Sequence, residues 1–429
     1  MKKSIRKTRS VCPICLKNLP AELVEEEDGR IIMEKACPEH GQYAAPVWQG
    51  RLDFEQWLLG VPPLREYDGV CCPGECGICQ EHETGSCCTL LEVTQRCNLR
   101  CRFCFADGGK AVEDPSFEEM QAAIRDIAEK CGGPLLQFSG GEPTLRDDLP
   151  ELVRYAKEAG FSFTQVNTNG IRLAEEPDYG RALADAGLDI VFLQFDGTRE
   201  EIYETLRGKP LLEKKLKAIQ VCSEQNLGVT LVPTVVKGVN TDNLGEMIRL
   251  AAELSPGVRG VHFQPVSYFG RIPKTPEVVD RYTLDQLMAD ISEQAGIPLE
   301  SFMPSRCDHP LCGFHSNYMI RPDGSLKSLS SITHSSKKRG CAADNRGYVA
   351  RHWSRPEEEK PPEKAFSEEM DFDTFLYYLR HRSLALSAMA FQDAMNLNIE
   401  RLHSCTLHVY DNGRIKPFCA RYLTPFQET

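Results

Sequence analysis

Cys97-Asn-Leu-Arg-Cys101-Arg-Phe-Cys104 carries three thiols at Cys-x3-Cys-x2-Cys spacing. Iron–sulfur clusters of the cubane type take four ligands, so this stretch supplies three and leaves one iron open. A cluster closed by four cysteines only relays electrons, whereas an iron with no protein ligand binds a cofactor and passes an electron into it. A structural zinc site suits the triplet less well, because such sites are closed by four protein ligands.

Outward from this loop, short apolar runs alternate with amphipathic helical stretches between Thr89 and about Gln264. The runs Leu90–Thr94, Pro134–Phe138, Phe161–Asn167, Asp189–Phe195, Gly228–Val235 and Gly260–Gln264 are continuous, as in parallel strands covered on both faces. Ser116-Phe-Glu-Glu119 is a capping box that opens the first helix, and Asn240-Thr-Asp-Asn243 starts a later one. Parallel strands require right-handed crossovers, so the order closes into a partial (β/α)6 barrel with its site at the C-terminal strand ends. Polar residues fall at those ends: Asn167-Thr168-Asn169, Gln194 with Asp196, and Gln264. Turn formation is the other use of such residues.

The chain divides into a cysteine-rich knuckle over residues 1–60, a second cysteine segment over 61–88, the barrel over 89–300 and a C-terminal region over 301–429. In the last, Ser330–Gly347 is polar, Ser354–Glu369 is a charged proline-rich linker, and Phe372–Leu402 reads as helical. The basic start is followed by Val11-Cys12-Pro13 where a signal peptide needs apolar residues, and reads as a solvated tail.

With 41% hydrophobic residues and a net charge of −12, the chain has the composition of a globular protein without a nucleic-acid footprint. Its apolar patch around Leu384–Phe391 falls well short of the roughly 20 residues that cross a bilayer, so no transmembrane segment is expected. The 19 cysteines fall in close groups, which argues for metal over disulfides and for a reducing, cytoplasmic setting.

Cys72, Cys76 and Cys79 repeat the spacing of the first triplet, with Cys87 near enough to complete four-cysteine ligation. Ile78 stands where the first triplet has Phe103, and no strand precedes it, so this copy reads as a closed auxiliary cluster or a structural zinc site. Cys12-x2-Cys15 with Cys37-x2-His40 makes a zinc-ribbon or rubredoxin-like knuckle for one zinc or iron. Cys307, Cys312, Cys405 and Cys419 converge on a second auxiliary cluster if the fold brings them together. Cys131 and Cys222 lie in helical stretches as packing residues, and Cys71, Cys88 and Cys341 carry no assignment.

The Cys97 triplet resembles the signature of the radical S-adenosylmethionine (radical SAM) enzymes. That resemblance implies a SAM-binding [4Fe-4S] cluster on Cys97, Cys101 and Cys104, with Phe103 an aromatic surface beside it. Ser139-Gly140-Gly141-Glu142-Pro143 is similar to the motif that holds the SAM amino group, Glu142 offering an acceptor and Pro143 stiffening the turn. Thr168, Asn169 and Asp196 match the polar groups that bind the ribose and carboxylate, and Gln194 is a further cofactor-binding candidate at its strand end. The knuckle, Cys76-Gly-Ile-Cys-Gln-Glu-His82 and His408-Val-Tyr-Asp-Asn-Gly-Arg-Ile-Lys-Pro-Phe-Cys419 resemble the branch of archaeal tetraether lipid synthase and dihydro-hydroxymethylpterin dimethyltransferase-like proteins. It implies two auxiliary [4Fe-4S] clusters, the second on Cys307, Cys312, Cys405 and Cys419. It also implies one mononuclear metal, a lipid or pterin substrate, a ferredoxin- or flavodoxin-type electron donor, and radical carbon–carbon bond formation or methylation. A peptide-modifying radical SAM enzyme and a non-catalytic iron–sulfur electron carrier are the rival readings.

Overall fold

Alternating side chains over the first 50 residues build a four-stranded antiparallel sheet, ordered β1 (Lys3–Val11), β2 (Asn18–Glu25), β3 (Ile31–Cys37) and β4 (Gly41–Trp48). The computed structural model describes residues 2–58, 61, 72–74, 77–78, 82–305, 307–329, 340–356, 359–362, 366 and 370–427. The basic start is therefore no solvated tail. Its residues pair with β2 from Lys3↔Glu25 to Val11↔Asn18, and Lys2 and Lys3 neutralise Glu34, Glu25 and Glu55. Leu23, Ile31, Met33 and Trp48 turn inward from this sheet and join the main core together with Phe54 and Trp57.

The remaining strands form one 13-stranded sheet. Its centre is the expected series: β5 (Cys88–Thr94), β6 (Leu135–Gly140), β7 (Thr164–Thr168), β8 (Ile190–Gln194), β9 (Gly228–Val232) with the short β10 (Thr234–Val235), and β11 (Val258–Pro265). All neighbours within it run parallel. Both faces are covered, and Phe138, Val166, Val191, Val229, Val261 and Phe263 are fully buried, which is why these strands read as unbroken apolar runs. The Ser116 capping box forms as expected: Ser116 Oγ accepts from Glu119 N at 3.2 Å and Glu119 Oε2 from Ser116 N at 2.7 Å, opening helix Phe117–Cys131.

The C-terminal region is woven into this sheet at both edges. After β12 (Met303–Pro304), β13 (Gly313–Ile320) and β14 (Leu326–Ser328), strand β15 (Ser383–Met389) inserts between β11, to which it is parallel, and β13, to which it is antiparallel. At the other edge β16 (Leu407–Asp411) lies parallel to β5 and is capped by the antiparallel β17 (Arg414–Pro417). The helical reading of Phe372–Leu402 is thus corrected. Helix occupies Phe372–His381 and Ile399–His403, and the leucine- and alanine-rich middle is β15. Ladder bonds on both sides of β15 outweigh the helix preference of Leu and Ala. Gly260 and Gly313 let it in, since a Cβ on them would stand 2.4 Å from Ala385 O and 1.9 Å from Ala388 O. Of the polar stretch, residues 330–339 lie outside the described residues, and helix Ala342–Trp353 follows. Among the described residues no helix is long and apolar enough to cross a membrane.

Candidate active site

β5 ends at Thr94, and the loop beyond it carries the first cysteine triplet. The end of β6 clamps this loop: Gly141 N donates to Thr94 O and Glu142 N to Arg96 O, each at 2.7 Å. The clamp explains the glycine pair. A Cβ on Gly140 would stand 2.1 Å from Thr94 O, one on Gly141 2.1 Å from Arg96 O, and Gly140 has φ 120°. The close approach the sequence suggested for a ligand is thus made here by the backbone of the cysteine loop.

Cys97, Cys101 and Cys104 gather around Leu99, Ile171, Tyr203 and Leu211. Leu99 N donates to Cys97 Sγ at 3.4 Å, and the Cys104 backbone pairs with Arg271 at 3.0 and 2.9 Å. Burial pushes the Cys97 thiol up to about 12, with Glu142 and the other two thiols adding to it. Three soft thiols lining one open cavity fit a sulfide-bridged iron cluster.

That cavity measures about 150 Å³ and is lined by the three cysteines with Phe103, Gly140, Gly141, Glu142, Thr168, Asn169 and Gln194. Glu142 is buried and organises one wall. Its Oε1 accepts from Thr144 N at 3.1 Å and from the Thr144 and Thr168 hydroxyls at 2.6 Å, and its Oε2 from Asn169 N at 2.7 Å. Pro143, buried, starts the 3-10 turn Pro143–Leu145 that brings Thr144 there. Asn169 Nδ2 donates to Asn98 Oδ1 at 2.7 Å, tying the third strand end to the cluster loop. Gln194 Oε1 accepts from Lys215 Nζ at 3.4 Å. Lys215 also donates to Asn169 O at 2.5 Å, and burial lowers its pKa to about 8.

Asp196 is not among the lining residues, and its carboxylate is held by Arg207 at 2.5 and 2.7 Å and by Thr234 N at 3.1 Å. Arg207 lines the cavity in its place. Burial opposes its charge, but Asp196 and the adjacent Cys101 more than offset this and hold its pKa above the usual value.

In the N-terminal sheet the ligand atoms of Cys12, Cys15, Cys37 and His40 all lie within 4.8 Å of one another. Ile14 N donates to Cys12 Sγ at 3.4 Å, and His40 Nδ1 stands 3.4 Å from Cys37 Sγ and 3.6 Å from Cys12 Sγ. Burial raises the Cys37 thiol, but hydrogen bonds from His40 and the Glu39 backbone overcome it and bring the pKa down to about 6. Four ligands this close suit one tetrahedral ion.

Residues 91–251 match the radical SAM superfamily, and residues 4–49 match the HMPTM N-terminal zinc ribbon domain. The chain is 33% identical over 473 residues to the 7,8-dihydro-6-hydroxymethylpterin dimethyltransferase of Methanocaldococcus jannaschii, covering 96% of this chain and 92% of that protein. This chain belongs to the radical SAM superfamily, in that dimethyltransferase's branch. A shorter likeness, 34% over 165 residues, joins it to the probable GTP 3′,8-cyclase of Thermococcus kodakarensis, covering 38% of this chain and 52% of that one. The crystal structure of Streptococcus suis SuiB bound to precursor peptide SuiA aligns with a TM-score of 0.43 at 16% identity, over 50% of this chain and 48% of that one.

In this radical SAM enzyme the other expected cysteines fall into two neighbourhoods. Cys312 and Cys419 are buried and Cys405 is half-buried, close enough to act on one another electrostatically, and Arg401 Nε donates to Cys312 Sγ at 3.4 Å. Burial raises all three thiols. Cys307 stands instead with Cys87 and donates to Cys341 O at 3.1 Å, while Asn345 Nδ2 donates to Cys87 Sγ at 3.3 Å. Cys72 packs on Ile399 and beside Ala420, the neighbour of Cys419. Cys76 and Cys79 lie outside the described residues. Cys222 is fully buried on the helix Leu212–Glu224, and Cys131 ends Phe117–Cys131 half-buried.

Sequence reasoning missed an inner chamber of about 110 Å³ behind the cysteine-lined cavity. Phe105, Asn167, Gln264, Phe391 and Phe418 line both spaces, which makes them continuous. The signal was present in part: Gln137 interrupts the apolar run Leu135–Phe138.

Proposed function

We propose that this enzyme holds a [4Fe-4S] cluster on Cys97, Cys101 and Cys104, cleaves SAM reductively, and takes hydrogen from an unactivated C–H bond of a small pterin-class molecule, leading to methylation or carbon–carbon bond formation. When bound, the cluster and SAM supply the 5′-deoxyadenosyl radical for that abstraction. The observation that carries the reading is the convergence of the triplet and the strand-end residues Glu142, Thr168, Asn169 and Gln194 on one cavity. Glu142 there fixes the backbone of Asn169, while Arg207 sets a positive charge beside Cys101.

The pterin class is favoured over a lipid by the relative's printed substrate and by the inner chamber. An alkyl chain in that space would leave the buried Gln165 Oε1 without a partner, at a cost of about 1–3 kcal/mol, whereas a polar ring can answer it. The further cysteines are proposed to hold auxiliary clusters, and the knuckle one zinc or iron, with a ferredoxin- or flavodoxin-type protein as electron donor. Anaerobic reconstitution, reduction and addition of SAM should yield 5′-deoxyadenosine. Cys97→Ala should abolish that product while leaving iron at the other sites, and an unchanged yield would refute the assignment.

A further inference from the structure

The inner chamber has a polar edge and an aromatic wall. Gln137 on β6 and Gln165 on β7 stand directly opposite each other in the parallel register. Gln165 Nε2 donates to Gln137 Oε1 at 2.8 Å, and that same oxygen has the Cys88 thiol at 3.7 Å. The bond between the amides consumes one donor and one acceptor and leaves two groups over. Gln165 Oε1 is buried, on a residue 3% exposed, and has no partner. Gln137 Nε2 makes no hydrogen bond with any described residue. Exchanging O and N in both amides together reverses the internal bond and again leaves one acceptor and one donor side by side.

Across the chamber Phe192 and Trp353 meet with ring centroids 5.0 Å apart, and His262 stands 5.5 Å from Phe192 and 5.8 Å from Trp353. His262 Nδ1 is engaged with Ser387 Oγ at 2.9 Å, which fixes the ring and turns Nε2 away from that bond. A buried amide that lacks a partner is costly, so its persistence beside an aromatic wall indicates a group that is satisfied when the chamber is filled.

We propose that Gln137 and Gln165 form an amide edge that binds the adjacent N–H and C=O of a planar nitrogen heterocycle, holding its ring in the inner chamber with its far side toward the SAM cavity. The ligand class is a fused pyrimidinone ring: its lactam carbonyl takes the free amide donor, its ring N–H gives to the free amide acceptor, and its faces are matched by the aromatic wall. This inference deepens the proposed function and rests on it for the chamber being a substrate site. It adds the residues that recognise the substrate and the edge they recognise.

The test is equilibrium binding of 6-hydroxymethylpterin to the reconstituted enzyme in the presence of SAM, with quinoxaline as a flat ring lacking a lactam edge. Wild-type protein should bind the pterin and fail to bind quinoxaline at the same concentrations. Gln165→Met and Gln137→Met keep side-chain volume and should each weaken pterin binding about tenfold or more. Iron content and melting temperature of the variants show that they are folded. Should either correctly folded variant bind the pterin as tightly as wild type, the amide edge is refuted while the SAM chemistry stands. Equal binding of quinoxaline and pterin to the wild type would refute it too, as would no binding of the pterin. Failure of the wild type to form 5′-deoxyadenosine is the separate result that removes the proposed function itself.

Discussion

Arg207 closes a two-pronged bridge on Asp196, Nη2 to Oδ1 at 2.5 Å and Nε to Oδ2 at 2.7 Å, with side-chain exposures of only 3% and 0%. A buried pair is costly to break, because the surviving charge loses its partner and has no water to replace it. Asp196→Asn should therefore cost roughly 3–5 kcal/mol of stability and reduce iron retained at the Cys97 cluster, since the freed guanidinium lies next to Cys101. Denaturant unfolding and iron analysis check this together. A variant of normal stability with only a raised KM for SAM would instead mean that Asp196 contacts the cofactor.

The backbone clamp between β6 and the cluster loop makes a second prediction. Gly141→Ala places a methyl 2.1 Å from Arg96 O, and the clash is with backbone, which has no rotamer to yield. The loop must move, at a cost of roughly 3 kcal/mol, and the three thiols move with it. After reconstitution the variant should carry about four irons fewer than wild type. Full iron loading would show that the loop tolerates the displacement.

His262 gives a pH dependence whose sign is fixed by its burial. Desolvation lowers its pKa from the ordinary 6.5 to about 4, so the folded state keeps it neutral where the unfolded chain binds a proton. Stability is then undiminished above pH 6.5 and is lost as the pH falls from 6.5 toward 4, by up to about 1.4 kcal/mol per pH unit from this group. Unfolding midpoints measured across that window should fall more steeply for wild type than for His262→Gln. Parallel curves would place the histidine's charge elsewhere.

The two cysteine neighbourhoods predict which iron is lost together. Cys87 feels the charge of Cys307, and Cys405 that of Cys312 and Cys419, with Asp308 acting on both groups. Cys405→Ala and Cys419→Ala should remove the same four irons or so, and the double variant no more than either alone. The same should hold for Cys87→Ala and Cys307→Ala. Additive losses within a pair would break that grouping.

Much of this architecture was legible because the chain repeats one physical solution. Six parallel strands covered on both faces must be apolar throughout, and the runs from Leu90 to Gln264 say so. The triplet and the knuckle were legible because metal ligation demands short fixed spacings. What escaped reading is set by tertiary partners. Ser383–Met389 has helix-forming residues and becomes a strand only because β11 and β13 wait on either side of it. Asp196 has the chemistry of a ribose ligand, but Arg207, eleven positions later, takes both its oxygens. Gln137 and Gln165 lie 28 positions apart in the chain, and only the register of β6 and β7 places them together.

The zinc-ribbon sheet is fastened to the C-terminal region by buried polar contacts, which leads to the last prediction. Lys35 Nζ donates to Ser10 Oγ at 2.9 Å and to Ala394 O at 2.8 Å, Thr8 Oγ1 donates to Asn398 Oδ1 at 2.7 Å, and Arg6 pairs with Glu400. Of the three contacts that reach the C-terminal region, two lie on β1, whose far end leads into Cys12 and Cys15, and one on β3, which ends in Cys37. The metal at the knuckle thus fixes the ends of the two strands that hold segment 394–400. Cys15→Ser should lose one equivalent of zinc or iron and leave the cluster iron in place. Amide hydrogen exchange at residues 394–400 should then quicken by tenfold or more, corresponding to about 1.4 kcal/mol of lost local stability. Loss of the metal with unchanged exchange there would show that the ribbon's grip on the C-terminal region does not depend on its ion.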